Sequence, residues 1–482
     1  MKTTQLWINN QWVEPDRYVP LTNPYSGDVV AQIGYASVLQ VQNAIEVADQ
    51  AFRQFRKTPA HQRAAILSKA ADILAKRKDE AAHIVVQEAA KPITAARAEI
   101  ERTIQTYQFA AEAAKSIQGE TIPMDAVPRG ENHMAFVQHR PRGVVSAITP
   151  FNFPFNLVAH KVGPAIAAGN TIVLKPAEQT PLSALFLADL FAQAGLPAGV
   201  LNIVPGFGHE LGDILVTHPN VSYVTFTGSP RVGQLLQAKA GLRKITLELG
   251  SNSPLLIDEG LSDDDLEQIA KESTAGAFSY NGQICISIQR VYVHQTNFAS
   301  FVAKLATYAD KLVIGDPNDE STAITPLINS GAVSRLSNWL NHAKDRGCVI
   351  HTGGTFAGNA LRPTVLSNVA SDLEVYCEEV FGPIVIVEPY DNWDQAIQKA
   401  NDSKYGLHVG VFTKDIDKAF RAADDLESGG ILINQVPTFR LDHMPYGGVK
   451  QSGVGREGVK YAMEDMMEIQ FVGFRKGFYE HR

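Results

Sequence analysis

Strand–helix alternation constrains this chain more than any other feature. GVVSAIT, TIVLK, VLNIV and VSYVTFT are short β-branched runs beginning at Gly143, Thr171, Val200 and Val221. Helical stretches such as PLSALFLADLFAQAG separate them. At this spacing the pattern means βα units and a parallel sheet covered on both faces. A second series begins near Ser253: PLLI, VYVH, CVIHT, IVIVEPY, HVGVFT and GILIN, again with helices between. Two α/β units in sequence are expected, meeting near residues 249–252.

The rest of the chain is arranged around these units. LWINNQWVEP places Trp7 and Trp12 around Asn9-Asn10, a hairpin with a polar turn. A largely helical stretch is expected from about Val38 to Gln118, with Val41, Ile45, Ala48, Phe52 and Phe55 close to one face. The tail MMEIQFVGF has strand character and lies beyond both series, as a strand added for pairing between subunits would.

Composition excludes several classes. With 45% hydrophobic and 20% charged residues, the 482-residue chain has the balance of a soluble protein with a large core, not of a disordered or disulfide-scaffold one. A net charge of −8 gives no global footprint for nucleic acid or an anionic membrane. No apolar run approaches the ~18 residues a membrane helix needs, and MKTTQLWINN does not read as a secretory signal. Cys285, Cys348 and Cys377 show no C-x-x-C spacing, suit a reducing cytosol, and leave a thiol free for chemistry. A cytoplasmic protein is expected.

Three residues have the right type and setting for chemistry. Cys285, in FSYNGQICISIQR, sits in a glycine-bearing loop just before strand VYVH, where loops expose side chains to a cleft. On spacing alone the commoner alternative is a buried structural cysteine. Glu248 interrupts the apolar strand ITLEL, where partial burial would raise its pKa towards that of a general base; a strand-end Glu facing solvent is the alternative. Asn152 lies between two aromatics in ITPFNFPFN, and its amide could donate to an oxyanion or satisfy its own loop. Gly-x-Gly-x-x-Gly occurs once, at Gly453–Gly458, but follows no clear strand and comes too late for a first βα turn. FTGSPRVG is better placed: its strand ends in Gly228-Ser229 and Pro230 suits a first helical position, so backbone N–H groups there could receive phosphate.

Taken together, PFNFP, KPAEQTP, GFG, FTGS, LELGSNSP, GQIC, EEVFGP and PYGGVKQSGVGRE occur in an order that resembles the NAD(P)-dependent aldehyde dehydrogenase superfamily across nearly the whole chain. The stretch TFRLDHMPYGGVKQSGVGREGVKYAMEDM looks most like the branch of lactaldehyde, non-phosphorylating glyceraldehyde-3-phosphate and phosphonoacetaldehyde dehydrogenases. The resemblance implies an α/β fold of two doubly wound domains. Residues 1–121 and 142–250 would bind the dinucleotide, and 251–435 would form the catalytic domain. Residues 436–467 would return to pack on the cofactor domain, while 122–141 and 468–482 would form a β arm for a homodimer or homotetramer.

The same resemblance implies roles. Cys285 would attack the aldehyde, Asn152 and the Cys285 N–H would hold the oxyanion, and Glu248 would activate the water that hydrolyses the thioester. Lys161 and Glu457 would pass protons towards solvent. The cofactor wall would comprise Thr149, Pro150, Phe151, Lys175, Pro176, Ala177, Glu178, Gly208, Gly212, Phe226, Thr227, Gly228, Ser229, Val232, Leu249, Gly250, Glu379 and Phe381. Glu178 can accept from both adenosine ribose hydroxyls and would repel a 2′-phosphate, which leans towards NAD; Arg231 could offset that repulsion, so NADP stays open. No metal is implied. Arg102, Phe153, His160, Ile284, Ile286, Phe439 and Arg440 would border the substrate tunnel. Two arginines, with Ile284 where a third could stand, suggest a short aldehyde carrying a hydroxyl or one anionic group. The rival readings are a CoA-acylating enzyme, against which Glu248 argues, a thiol hydrolase pairing Cys285 with a distant histidine, and a silent scaffold.

Overall fold

The structure, a computed structural model, describes residues 2–477. The last five residues of the expected arm, 478–482, lie outside them. The five parallel strands of the first sheet run in the order Lys244–Glu248, Val221–Thr227, Val144–Ile148, Thr171–Lys175, Leu201–Ile203. Val144–Ile148 comes first in the chain, the next two strands are added on one side, and the last two on the other. A crevice opens at the carboxyl ends of the strands where the order reverses, the place where such sheets take ligands. Both faces are packed, one by the cluster with Leu174, Ile203 and Phe186, the other by Val173, Phe226 and Leu247.

The hairpin forms as its sequence suggests. Asn9 and Asn10 both adopt positive φ, which matches the twist of the flanking strands, and Trp7 faces Trp12 with ring centroids 4.8 Å apart. Its place at the edge of the first sheet, Trp7 against Ile203, was not legible. The helical stretch resolves into four helices: Val38–Phe55, Ala60–Lys76, Lys78–Ala89 and Ile93–Ala114. Two strands before them, Arg17–Thr22 and Val29–Tyr35, were not anticipated.

The second sheet is parallel except at one edge. Its order is Val349–Thr352, Thr364–Ser367, Ile384–Tyr390, Arg290–His294, Pro254–Ile257, His408–Phe412, Gly430–Ile433. The CVIHT segment was read as one more parallel strand, but it pairs antiparallel with Thr364–Ser367, a strand the sequence reading missed. Val349 and His351 are exposed or half-buried, the texture of an edge rather than a centre. Gly453–Val454 pairs antiparallel with Lys244–Glu248, so the Gly-x-Gly-x-x-Gly segment packs against the first sheet. The tail strand Met467–Arg475 pairs along its whole length with His133–Pro141. Among the described residues no helix is long and apolar enough to cross a membrane.

Candidate active site

Two cavities meet at Cys285. The larger, about 550 Å³, lies at the carboxyl ends of the first sheet's strands. Its wall is built by the segments that follow those strands: Thr149, Pro150, Phe151 and Asn152; Lys175, Ala177 and Glu178; Phe226, Thr227, Gly228 and Ser229; Glu248, Leu249 and Gly250. Gly208, Val232, Glu379 and Phe381 complete the expected set. Pro176 lies in the same turn and accepts from Lys175 Nζ through its carbonyl, and Gly212 lies a turn further along the helix Gly208–Thr217; neither lines the cavity.

The local geometry suits a dinucleotide. Glu178 Oε1 accepts from Lys175 Nζ at 3.0 Å and from the Gly208 N–H at 2.7 Å. Burial pushes this carboxyl up, but Lys175 and the Gly208 N–H more than offset it, so it stays ionised as an acceptor for ribose hydroxyls. Ser229 caps the helix Pro230–Ala240, whose N-terminal residues line the cavity, and the positive end of that helix favours a pyrophosphate. Glu379 accepts the Ser251 N–H at 3.0 Å, and burial pushes it up to about 7. Gly250 gives the Glu379 carboxylate room, since a Cβ there would stand 2.5 Å from one of its oxygens. Phe381 packs edge-on against Phe151, 5.8 Å between centroids, and gives the far end an aromatic floor. Hydroxyl acceptors, a helix N-terminus and an aromatic floor are what NAD(P) needs, and the residues fit it. Among the described residues no cluster of His, Cys, Asp and Glu converges to hold a metal.

The second cavity, about 360 Å³, is lined by Arg102, Phe153, Ile284, Cys285, Ile286 and Arg440, together with Lys91, Glu99, Tyr280, Thr438 and Tyr446. The loop that leads to Cys285 is shaped by Tyr280 and Asn281, both at positive φ, and Asn281 is pinned by Thr325 and Pro326. Cys285 Sγ lies 2.8 Å from the Tyr446 hydroxyl. Burial pushes the thiol up to about 11, and Tyr446 and Arg440 pull against that. Asn152 Nδ2 donates to the Gln283 carbonyl at 2.9 Å, two residues before the thiol, and so holds its amide beside the Cys285 loop.

Glu248 is buried, and neither carboxylate oxygen has a partner. Burial, then the nearby Glu457, hold its pKa well above the usual carboxylate range. Gly447 leaves it room, since a Cβ there would meet Glu248 Oε1 at 2.8 Å. Lys161 Nζ donates to Glu457 Oε1 at 2.9 Å and to Thr225 and Thr227. Burial pushes Glu457 up, but Lys161 and Arg440 hold it below its ordinary range.

The arginines stand differently from the sequence reading. Arg440 is ion-paired to Glu457 at 3.1 Å and lies flat on Tyr446, 3.6 Å from its centroid. Arg102 forms a fork with Asp442 through Nε and Nη2 at 3.1 and 2.7 Å. His160 does not reach the cavity wall; it is fully buried and hydrogen-bonds Asp442 Oδ1 at 2.8 Å. Burial, then Arg440, lower its pKa and keep it neutral, so Nε2–H is the donor. Phe439 is 40% exposed and lies outside the cavity lining.

Several residues here escaped sequence reading. Lys91 bonds Glu99 at 2.7 Å and the Asn152 carbonyl at 2.9 Å, and Glu99 Oε1 accepts from Phe155 and Asn156 N–H. This buried pair fixes the loop that carries Asn152. Asp442 and Tyr446 sit in the LDHMPYGG stretch quoted above, and only their distant partners reveal them. Arg335 lies over Trp339 in the groove wall and donates to the Val380 carbonyl.

A doubly wound groove fitted to a nicotinamide dinucleotide, joined to a second cavity at one thiol, defines an NAD(P)-dependent oxidoreductase. The chain belongs to the aldehyde dehydrogenase family, whose profile matches residues 12–472. It is 45% identical over 472 residues, 98% of each chain, to the 3-sulfolactaldehyde dehydrogenase of Priestia aryabhattai. It is 38% identical over 471 residues, 97% of this chain and 99% of the other, to the lactaldehyde dehydrogenase of Methanococcus aeolicus. The NADP-dependent glyceraldehyde-3-phosphate dehydrogenase of Bacillus halodurans C-125, solved with NADP, superposes with a TM-score of 0.95 at 34% identity, covering 98% of this chain and 100% of that one. The protein is an enzyme that oxidises an aldehyde to the carboxylic acid with NAD(P)+.

Proposed function

We propose that the substrate is a short aldehyde bearing a hydroxyl or one anionic group, of the lactaldehyde or sulfonated-lactaldehyde kind, and that Cys285 is the nucleophile. The observation that carries this reading is the small cavity ending at Cys285, with Arg102 and Arg440 in its wall. The relatives that act on 3-sulfolactaldehyde and lactaldehyde support it.

The Cys285 thiolate attacks the carbonyl carbon and forms a hemithioacetal. The second Asn152 amide N–H and the Cys285 backbone N–H receive the oxyanion. NAD(P)+, bound in the groove, supplies the hydride acceptor. The acyl group is left on sulfur as a thioester. Glu248, with unpartnered oxygens and a raised pKa, then takes a proton from water as it attacks the acyl carbon. Lys161 and Glu457 lead that proton away. Residues 1–121 and 142–250 form the dinucleotide domain, 251–435 the catalytic domain and 436–467 the return segment. The strands His133–Pro141 and Met467–Arg475, with exposed Phe471, Ile469 and Phe474, belong to the arm of a cytoplasmic homodimer or homotetramer.

The test is kcat/KM for lactaldehyde, a sulfonated three-carbon aldehyde, hexanal and benzaldehyde, in wild type and Arg102→Gln. The polar three-carbon aldehydes should lead by about tenfold or more, because a guanidinium facing an alkyl or aryl tail loses hydration without return. Arg102→Gln should weaken the sulfonated substrate most. A wild type that prefers hexanal or benzaldehyde, with a ranking the variant leaves alone, overturns the substrate assignment.

A further inference from the structure

Tyr446 touches the reacting sulfur, and the mechanism above gives it nothing to do. Its hydroxyl lies 2.8 Å from Cys285 Sγ. Its ring is buried, and its backbone is tied to Glu457 in both directions, at 3.1 and 2.6 Å. His408 packs against one side of the ring, 5.0 Å between centroids, and the Arg440 guanidinium lies over it at 3.6 Å. The hydroxyl is thus held from several directions and aimed at one atom.

A tyrosine in this position can accept from a thiol or donate to a thiolate. The cation on the ring decides between them: it favours negative charge nearby and makes the O–H a stronger donor. We propose that Tyr446, under Arg440, is a catalytic residue whose hydroxyl donates to the Cys285 sulfur as it ionises and so offsets part of the cost that burial places on the thiolate. The proposal rests on the reading of Cys285 as nucleophile. In the step, the S–H bond breaks and its electron pair stays on sulfur. The proton leaves to water in the cavity, the tyrosine O–H turns from accepting to donating, and nothing is oxidised or reduced.

The charges facing the sulfur are consistent with this. Tyr446 and Arg440 stabilise the thiolate, while Glu379 and Glu248 oppose it. Burial raises Glu379 to about 7, so its opposition weakens as the pH falls through neutrality. Burial also pushes the Tyr446 phenol well up, which keeps it a donor.

The experiment reads the sulfur directly. The full chain, free of cofactor, is alkylated with iodoacetamide from about pH 7 to about pH 11, and modification of Cys285 is followed by peptide mass spectrometry, apart from Cys348 and Cys377. Tyr446→Phe should raise the midpoint by about one pH unit, a rate near neutral pH about tenfold lower. A 3-fluorotyrosine at position 446 keeps the ring and strengthens the donor, so it should lower the midpoint; it decides the matter if the phenylalanine variant fails to fold. A midpoint that the folded variants leave unchanged, or one that falls in Tyr446→Phe, overturns the proposal. Turnover of Cys285→Ala judges the nucleophile separately, so the two readings can fail independently.

Discussion

In the dinucleotide groove two carboxylates, Glu248 and Glu379, stand with few partners, whereas in the second cavity the cations of the wall are already matched. Glu248 has no hydrogen bond to either oxygen, and Glu379 takes the Ser251 N–H. Across the thiol, Lys91 is paired with Glu99 at 2.7 Å, Arg102 with Asp442 at 2.7 Å and Arg440 with Glu457 at 3.1 Å. A buried carboxylate without partners has a raised pKa and is ready to take a proton or a ligand hydroxyl. A buried cation with a partner is largely neutralised, and breaking that pair would cost several kcal/mol, of order 3–5. The groove therefore works through acceptors it leaves open. The cavity works through shape and the few donors its ion pairs leave over, chiefly on Arg102, whose side chain is 30% exposed.

The largest expected effect falls on the atom both cavities share. Cys285→Ala should lower steady-state turnover by roughly a thousandfold or more while NADH binding, read by fluorescence, persists. Substantial steady NADH formation in that variant would place the chemistry elsewhere. Next comes the groove's open acceptor. Glu248→Gln keeps shape but cannot accept a proton, so the NADH burst should survive while turnover falls about a hundredfold. Burst and turnover lost in equal proportion would assign Glu248 to thiol activation instead.

The two cavities also differ in how much the sequence disclosed. Groove residues sit in short local motifs at strand ends, where the residue type and its neighbours already state the chemistry: Glu178 beside Lys175, or Ser229 before Pro230. The cavity is assembled by contacts across the chain. Arg102 meets Asp442 over 340 positions, and Cys285 meets Tyr446 over 161. No spacing rule links such pairs, so Arg102 and Arg440 were read as free guanidiniums and His160 as a wall residue. The same limit applied to the fold. Buried parallel strands announced themselves by β-branched runs, but Thr364–Ser367 and the reversed edge strand beside it depend on neighbours supplied from elsewhere.

A smaller effect concerns cofactor choice. Glu178 Oε1 is held by Lys175 and the Gly208 N–H, which fixes a negative charge in the groove wall, one that would repel a 2′-phosphate if Glu178 reads the adenosine ribose. Glu178→Ser removes that charge and should shift the kcat/KM ratio of NADP to NAD upward by about tenfold. The cavity should not register the change, so the ranking of aldehydes stays fixed. A wild type that already prefers NADP, unmoved by the substitution, would show that Glu178 does not read the ribose.

The subtlest difference between the two cavities lies in their response to pH. Burial raises Glu379 to about 7, with the Ser251 N–H and Arg335 pulling it down and Glu378 pushing it up. As a carboxylate it can accept hydrogen bonds from hydroxyls of a bound ribose; protonated, it loses much of that capacity. NADH affinity should therefore weaken several-fold as pH falls from about 8 to about 6, and Glu379→Gln should flatten the profile. In the cavity, Asp442 is raised by burial but held well below its ordinary value by His160 and Arg102. Asp442 therefore stays ionised across that window, so the KM for an anionic aldehyde should stay level. For stability the sign is reversed. The folded Glu379 keeps a proton between its ordinary value of 4.5 and about 7 that the unfolded chain releases, so its contribution to stability declines as pH rises through that range. An NADH affinity that is flat, or that strengthens on acidification, would mean that Glu379 meets the ligand as a neutral donor, and the contrast between the two cavities would fail at this residue.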